Sequence, residues 1–112
     1  MDIHISTTGP VTVAELAGRL DSEASRMASE QLLPLAQPGC RVLIDMRQVD
    51  YMSSAGLRVL LLIYRKVEET AGAVILAGLQ ERIRDVMEMT GFLGFFTVVE
   101  SCEEGVEALS SY

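Results

Sequence analysis

The sequence predicts an α/β domain, with about five strands in a mixed, mostly parallel sheet and about four helices. Two observations carry this. "RVLIDM" (41–46) and "AGAVILAG" (71–78) are short apolar runs rich in branched residues and bounded by turn signals, as buried central strands are. Segments of helical spacing lie between and after them. Strands that alternate with helices after an initial hairpin imply parallel neighbours joined by crossovers.

Each element follows from local pattern. Ile3 and Ile5 alternate with polar residues, and "TTGP" (7–10) makes a turn. Val11, Val13 and the residues up to Leu16 give a second strand, antiparallel to the first. Gly18 and Asp21 are expected to end that strand, and Asp21 or Ser22 to cap a first helix carrying Met27, Leu32 and Leu33. Pro34 and "QPG" (37–39) stop it. "RVLIDM" is the third strand, and "RQVDYM" leads from it to a pair of serines. From Ser54 to about Thr70 the pattern is helical, with Leu57, Leu60, Leu61, Tyr64 and Val67 as the core-facing stripe. After the fourth strand, "LQERIRDVMEMTG" (79–91) is a helix with Ile83, Val86 and Met87 on one face and Gly91 as its stop. A last strand is expected near Thr97 to Val99. A final helix follows, opened by Ser101 with Glu104 three residues on, the spacing of a capping box. No repeat or linker interrupts the chain, so one domain is expected over 1–112.

Composition excludes several classes of function. The 112 residues are 49% hydrophobic, enough for a core without disulfides or metal, and 22% charged. A formal charge of −7 disfavours nucleic acid and anionic membranes, and suits a basic protein partner. Cys40 and Cys102 have no ligand-like spacing and His4 is the single histidine, so no metal site or cofactor is expected. "MDIHISTTG" is no signal peptide. Val59 to Tyr64, the longest apolar stretch, is too short to span a bilayer, and a cytoplasmic protein is expected.

Enzyme motifs are missing. There is no phosphate-binding G-x-x-x-x-G-K-[ST] loop and no G-x-S-x-G elbow, and a catalytic triad would have to recruit His4 from the hairpin. No enzymatic activity is expected. Asp21, Asp45 and Asp50 lie near strand ends, where capping and turn-making are the ordinary roles of aspartate.

The serine pair is the informative feature. Ser54 stands where an N-cap would, accepting a backbone N–H of the first helical turn. A helix needs one cap, and Ser53, Ala55 and Gly56 around it are all small, which lets a partner approach the backbone. Free N–H groups and the positive end of the helix dipole also tolerate a phosphate here. Around the helix, Ala55, Val59, Leu62 and Lys66 line a stripe nearly opposite the core stripe. Either the helix is buried on both faces, or an exposed apolar docking patch rimmed by Arg58 and Arg65 runs from the serines.

"RVLIDMRQVDYMSSAGLRVLLLIYRKVEETAGAVILAG" resembles the central segment of STAS domains, and more narrowly of bacterial anti-sigma factor antagonists. The family pattern has a buried strand, a polar turn, an aspartate or serine, a phosphorylated serine or threonine, a small residue and Gly-Leu. These fall on Ser53, Ser54, Ala55, Gly56 and Leu57. "GRLDSEAS" resembles the family's Gly-x-Leu-Asp approach to the first helix, with Asp21 as the aspartate, and "MEMTGFLGFFTVVES" its glycine-containing segment before the last strand. The resemblance implies a STAS fold and a regulator that binds an anti-sigma factor serine kinase and so releases a sigma factor. ATP-dependent phosphorylation of Ser54, or alternatively Ser53, breaks the complex, and a PP2C-type phosphatase restores it. It places Asp21, Ser53, Ser54, Ala55 and Gly56 at the partner-binding surface, and the patch reading of the helix adds Arg58, Val59 and Leu62 to it. Where many members have aspartate before the acceptor, this chain has Ser53. The alternative is a non-phosphorylated STAS module of a transport or stress-signalling complex.

Overall fold

The computed structural model describes residues 1–112. Its elements are β1 (Asp2–Thr8), β2 (Val11–Leu20), α1 (Ser22–Leu32), β3 (Arg41–Met52), α2 (Ser54–Glu69), β4 (Ala73–Ala77), α3 (Glu81–Met89), β5 (Thr97–Val99) and α4 (Cys102–Ser110). Short 3₁₀ turns at Leu33–Leu35 and Leu93–Phe95 follow α1 and α3. The five strands form one sheet in chain order. β1 is antiparallel to β2, and all later pairs are parallel. The strand-helix alternation therefore gave the fold class and the element order correctly.

Two hydrophobic layers sandwich the sheet. On one face α1, α2 and α3 bury Ala28, Leu32, Leu57, Leu60, Ile83 and Met87 against Leu16, Leu20, Ile44 and Leu76. On the other face α4 alone seats Leu109 over Val11, Val13, Leu43 and Ile75. This two-layer burial explains why β3 and β4 read as nearly continuous apolar runs. No helix is long and apolar enough to cross a membrane.

Two strands differ from expectation. β2 ends before Asp21, as expected, but Gly18 does not interrupt it: the strand runs through Gly18 to Leu20, because Gly18 takes a φ of +114° that keeps the strand paired where a side chain would strain it. β3 does not end at Met46: "RQVDYM" continues the strand without a turn. Its pairing with β2 slips twice, between Asp45 and Gln48 and between Val49 and Tyr51, each slip adding one residue on β3. Each bulge shifts the in–out alternation, so Met46, Val49 and Met52 all face the three-helix layer despite their three-residue spacing. A strand with this spacing carries no period of two for pattern reading to find.

Candidate functional site

The serine pair lies where β2 and β3 end side by side, with Leu20 opposite Met52. One residue later both strands have turned into helices. Asp21 caps α1, its Oδ1 accepting from the Ala24 backbone N–H at 2.9 Å. Ser53 caps α2, its Oγ accepting from the Gly56 N–H at 3.2 Å. The cap is thus Ser53, one residue before the expected Ser54, because β3 stays extended through Met52 and leaves Ser53 as the last non-helical residue.

Ser53 is tied across the chain as well as along it. Its N–H donates to the Leu20 carbonyl at 3.0 Å, and its hydroxyl donates to the same oxygen at 3.3 Å. Gly56 completes the anchor: a Cβ there would stand 2.6 Å from the Leu20 carbonyl oxygen and within 3 Å of Leu20 and Met52 side chains. Only glycine lets the first turn of α2 lie this close to the end of β2. Beside it, the Arg19 guanidinium lies 4.1 Å from the Tyr51 ring centroid, joining the last turns of the two strands.

Ser54 is different. It is the first helical residue, it is exposed, and no side-chain hydrogen bond in the chain involves its hydroxyl. The first turn of α2 contains no acidic residue. Arg58 is exposed one turn further along, and Leu62, 42% exposed, follows it. Ala55 is half-buried. Of the two readings of the second stripe, Val59 favours burial on both faces: it is buried in the three-helix layer, as are Gly56 and Ile63, so it does not lie at the partner-binding surface where it was expected. The buried face of α2 centres on Gly56, Leu60, Ile63 and Val67, while Tyr64 is half-buried, its ring packing against Phe95 and Phe96. The helix is thus apolar on two sides because most of its circumference is packed, and Leu62 is the large apolar residue left in the open.

A second polar cluster lies on the face covered by α4. Asp45 is buried, and its carboxylate receives three hydrogen bonds from Arg47: from the backbone N–H and Nε at 3.0 Å and from a terminal nitrogen at 2.8 Å. Burial works against the charged carboxylate, but the bonds from Arg47 outweigh it and hold its pKa below the ordinary 3.8. The Cys102 thiol is pushed up, by burial first and then by the Asp45 carboxylate beside it, which favours its protonated form. The sequence pattern puts Asp45 near a strand end, where an aspartate caps or makes a turn. It is instead mid-strand, because β3 runs on past it. The signal available in the sequence was a carboxylate inside an apolar run with an arginine two residues on, the spacing that shares one face of a strand. No three His, Cys, Asp or Glu side chains are grouped so as to hold a metal ion.

Comparison with known proteins agrees with this geometry. The STAS domain family matches residues 2–105. The BtrV protein of Bordetella bronchiseptica is 34% identical over 112 residues, covering 99% of this chain and 97% of its own. The anti-sigma-B factor antagonist of Bacillus subtilis is 30% identical over 92 residues, 82% and 84% of the two chains. In structure, the Bacillus anti-sigma factor antagonist SpoIIAA superposes with a TM-score of 0.82 in its unphosphorylated form, at 20% identity over 99% of this chain and 98% of that one. Its phosphorylated form gives 0.75, at 21% identity over 96% and 99%. With the five-stranded mixed sheet, its four helices and the Ser-Ser-Ala-Gly-Leu junction at the start of α2, these matches place the chain in the STAS domain family, among the anti-sigma factor antagonists.

Proposed function

We propose that the chain binds an anti-sigma factor serine kinase while Ser54 is unmodified, so releasing a sigma factor, and that phosphorylation of Ser54 ends the complex. In that step the Ser54 Oγ forms the new bond to the γ-phosphorus of ATP, the bond to the bridging oxygen breaks, ADP leaves, and the hydroxyl proton passes to a base on the kinase. A PP2C-type phosphatase hydrolyses the ester and resets the switch. One observation carries the choice of residue: the Ser54 hydroxyl is exposed and unbonded, whereas the Ser53 hydroxyl is held by Leu20 and Gly56. Phosphorylating Ser53 would break the cap and its tie to β2, while Ser54 can be modified with both intact.

The partner surface in this reading is the rim of the α2 start: Asp21, Ser53, Ser54 and Ala55, with Arg58 and Leu62 further along. Gly56 and Val59 support it from within rather than touching the partner. A dianion with its hydration shell does not fit an interface closed over a small hydroxyl.

The test is a pull-down from extracts of the native cell with and without ATP, with phosphosites mapped by mass spectrometry. Ser54→Ala is expected to hold the kinase with ATP present, and Ser54→Asp to lose it. If Ser54→Asp captures the partner as well as wild type, the switch reading is wrong. If no phosphate is found at either serine under growth or stress, the chain is a constitutive binding module instead.

A further inference from the structure

We propose that Arg58 is the built-in counter-ion of a phosphate on Ser54: the guanidinium closes on the new dianion along the surface of α2. This rests on the reading of Ser54 as the acceptor, and it adds what the modified state looks like. Ser54 and Arg58 are four residues apart on one helix, which makes them surface neighbours. Long helical side chains lean back toward the N-terminus, so a reach from Arg58 to position 54 follows the direction such a side chain favours.

Arg58 is also free to respond. It is exposed and makes no hydrogen bond or ion pair; the one salt bridge in the chain joins Asp45 and Arg47. The other arginine of the junction, Arg19, is already stacked on Tyr51. No carboxylate competes from the first turn of α2, and the nearest capping acid, Asp21, is bonded to its own helix. A planar guanidinium matches two phosphate oxygens at once. Phosphorylation then does two things together. It adds negative charge at Ser54, and it withdraws Arg58 from the surface offered to the partner.

The experiment installs phosphoserine at position 54 by genetic encoding, which needs no kinase, and follows the phosphate titration by phosphorus NMR at low salt. Arg58→Gln is expected to raise the titration midpoint by about 0.15 to 0.4 pH units relative to wild type, the size of a surface pair of this spacing acting on the one charge that the titration adds. Arg58→Lys should recover part of the difference. Equal midpoints for wild type and Arg58→Gln would overturn the pairing. Unmodified Arg58→Gln serves as the fold control and should melt with wild type, because the side chain is exposed and unbonded. Failure of the acceptor reading looks different: native extracts leave Ser54 unmodified while the encoded phosphate still titrates in an Arg58-dependent way.

Discussion

α2 and α4 both begin with a serine cap and both carry a glycine in the first turns, yet the two starts are built for different ends. At α4, Ser101 bonds locally: its Oγ accepts from the Glu104 N–H and lies 3.3 Å from the Glu104 carboxylate. Glu103 and Glu104 already supply negative charge to the helix dipole. At α2, Ser53 reaches a carbonyl 33 residues away in sequence, and the first turn has no acid at all. The α4 start is electrostatically complete. The α2 start is rigidly anchored and lacks a negative charge, which is the condition in which one added phosphate changes most.

The largest expected difference lies in the two glycines. A Cβ on Gly56 meets backbone, the Leu20 carbonyl oxygen at 2.6 Å, whereas one on Gly105 meets the tip of the Leu43 side chain at 2.4 Å. Backbone cannot step aside and a leucine methyl can. Gly56→Ala should cost about 2 kcal/mol of overpacking net of alanine's better helix propensity, and Gly105→Ala under about 1 kcal/mol. Urea denaturation of the two variants decides it. Equal losses would mean that α2 is no more tightly fixed to β2 than α4 is to the sheet.

Under the start of α4, the comparison can be made with pH. The Asp45 carboxyl titrates below its unfolded value of 3.8. The stability it contributes is therefore complete above that value and is lost as pH falls through the lower native pKa. Arg47 is 56% exposed on its side chain and stays hydrated without its partner, so Asp45→Asn should cost only about 1 kcal/mol at neutral pH. The gap between variant and wild type should close as pH falls through the lowered native pKa of Asp45. A gap that is unchanged there would show that Asp45 acts through packing and not through charge. The same substitution should speed alkylation of Cys102, since the carboxylate that helps raise its thiol pKa is gone.

Much of this was legible in the sequence. The hairpin, the α/β alternation, a cap of α1 at Asp21 or Ser22, the Ser101 cap and the β5 position follow from composition and spacing, and the structure decides for Asp21. The Ser-Ser-Ala-Gly-Leu junction is legible as well, but the helical pattern puts its cap at Ser54, one residue late. Cap position depends on where β3 stops, and β3 passes through two bulges that erase its alternation. The stripe through Val59 is ambiguous in sequence, because periodicity alone does not separate a helix buried on both faces from one with an exposed apolar patch; α2 packs on α1 as well as on the sheet, and its buried arc takes in Val59. Asp45 escaped for the same reason as the cap: a strand thought to end at Met46 leaves its acid near an edge. The contact between Gly56 and Leu20 joins residues 36 apart and has no local signature.

Removing the caps should separate the two starts by a smaller amount. Ser53→Ala loses the bond to Gly56 and the hydroxyl's bond to Leu20, about 1 to 1.5 kcal/mol, although the Ser53 backbone N–H keeps its hold on the same carbonyl. Ser101→Ala loses an exposed local cap, about 0.5 to 1 kcal/mol. Thermal melts of the pair read this directly, and Ser53→Thr, which keeps the oxygen, should lie close to wild type. A loss at Ser101 as large as at Ser53 would mean the cross-strand bond contributes nothing.

The smallest stability effect is the most telling, because its sign opposes its effect on function. Ser54→Asp puts a carboxylate into the acid-free first turn of α2 and should stabilise the fold by about 0.3 to 1 kcal/mol through the helix dipole. The gain should shrink in high salt, as an exposed charge requires. The matching change at α4, Glu103→Gln, removes such a charge and should destabilise by a similar amount. If Ser54→Asp is more stable than wild type yet fails to capture the kinase, the loss of binding cannot be blamed on misfolding, and the negative charge itself is what the partner rejects. If it is less stable, the start of α2 is not the accommodating place for a phosphate that its missing acids imply, and a lost interaction would then report damage to the helix rather than a switch.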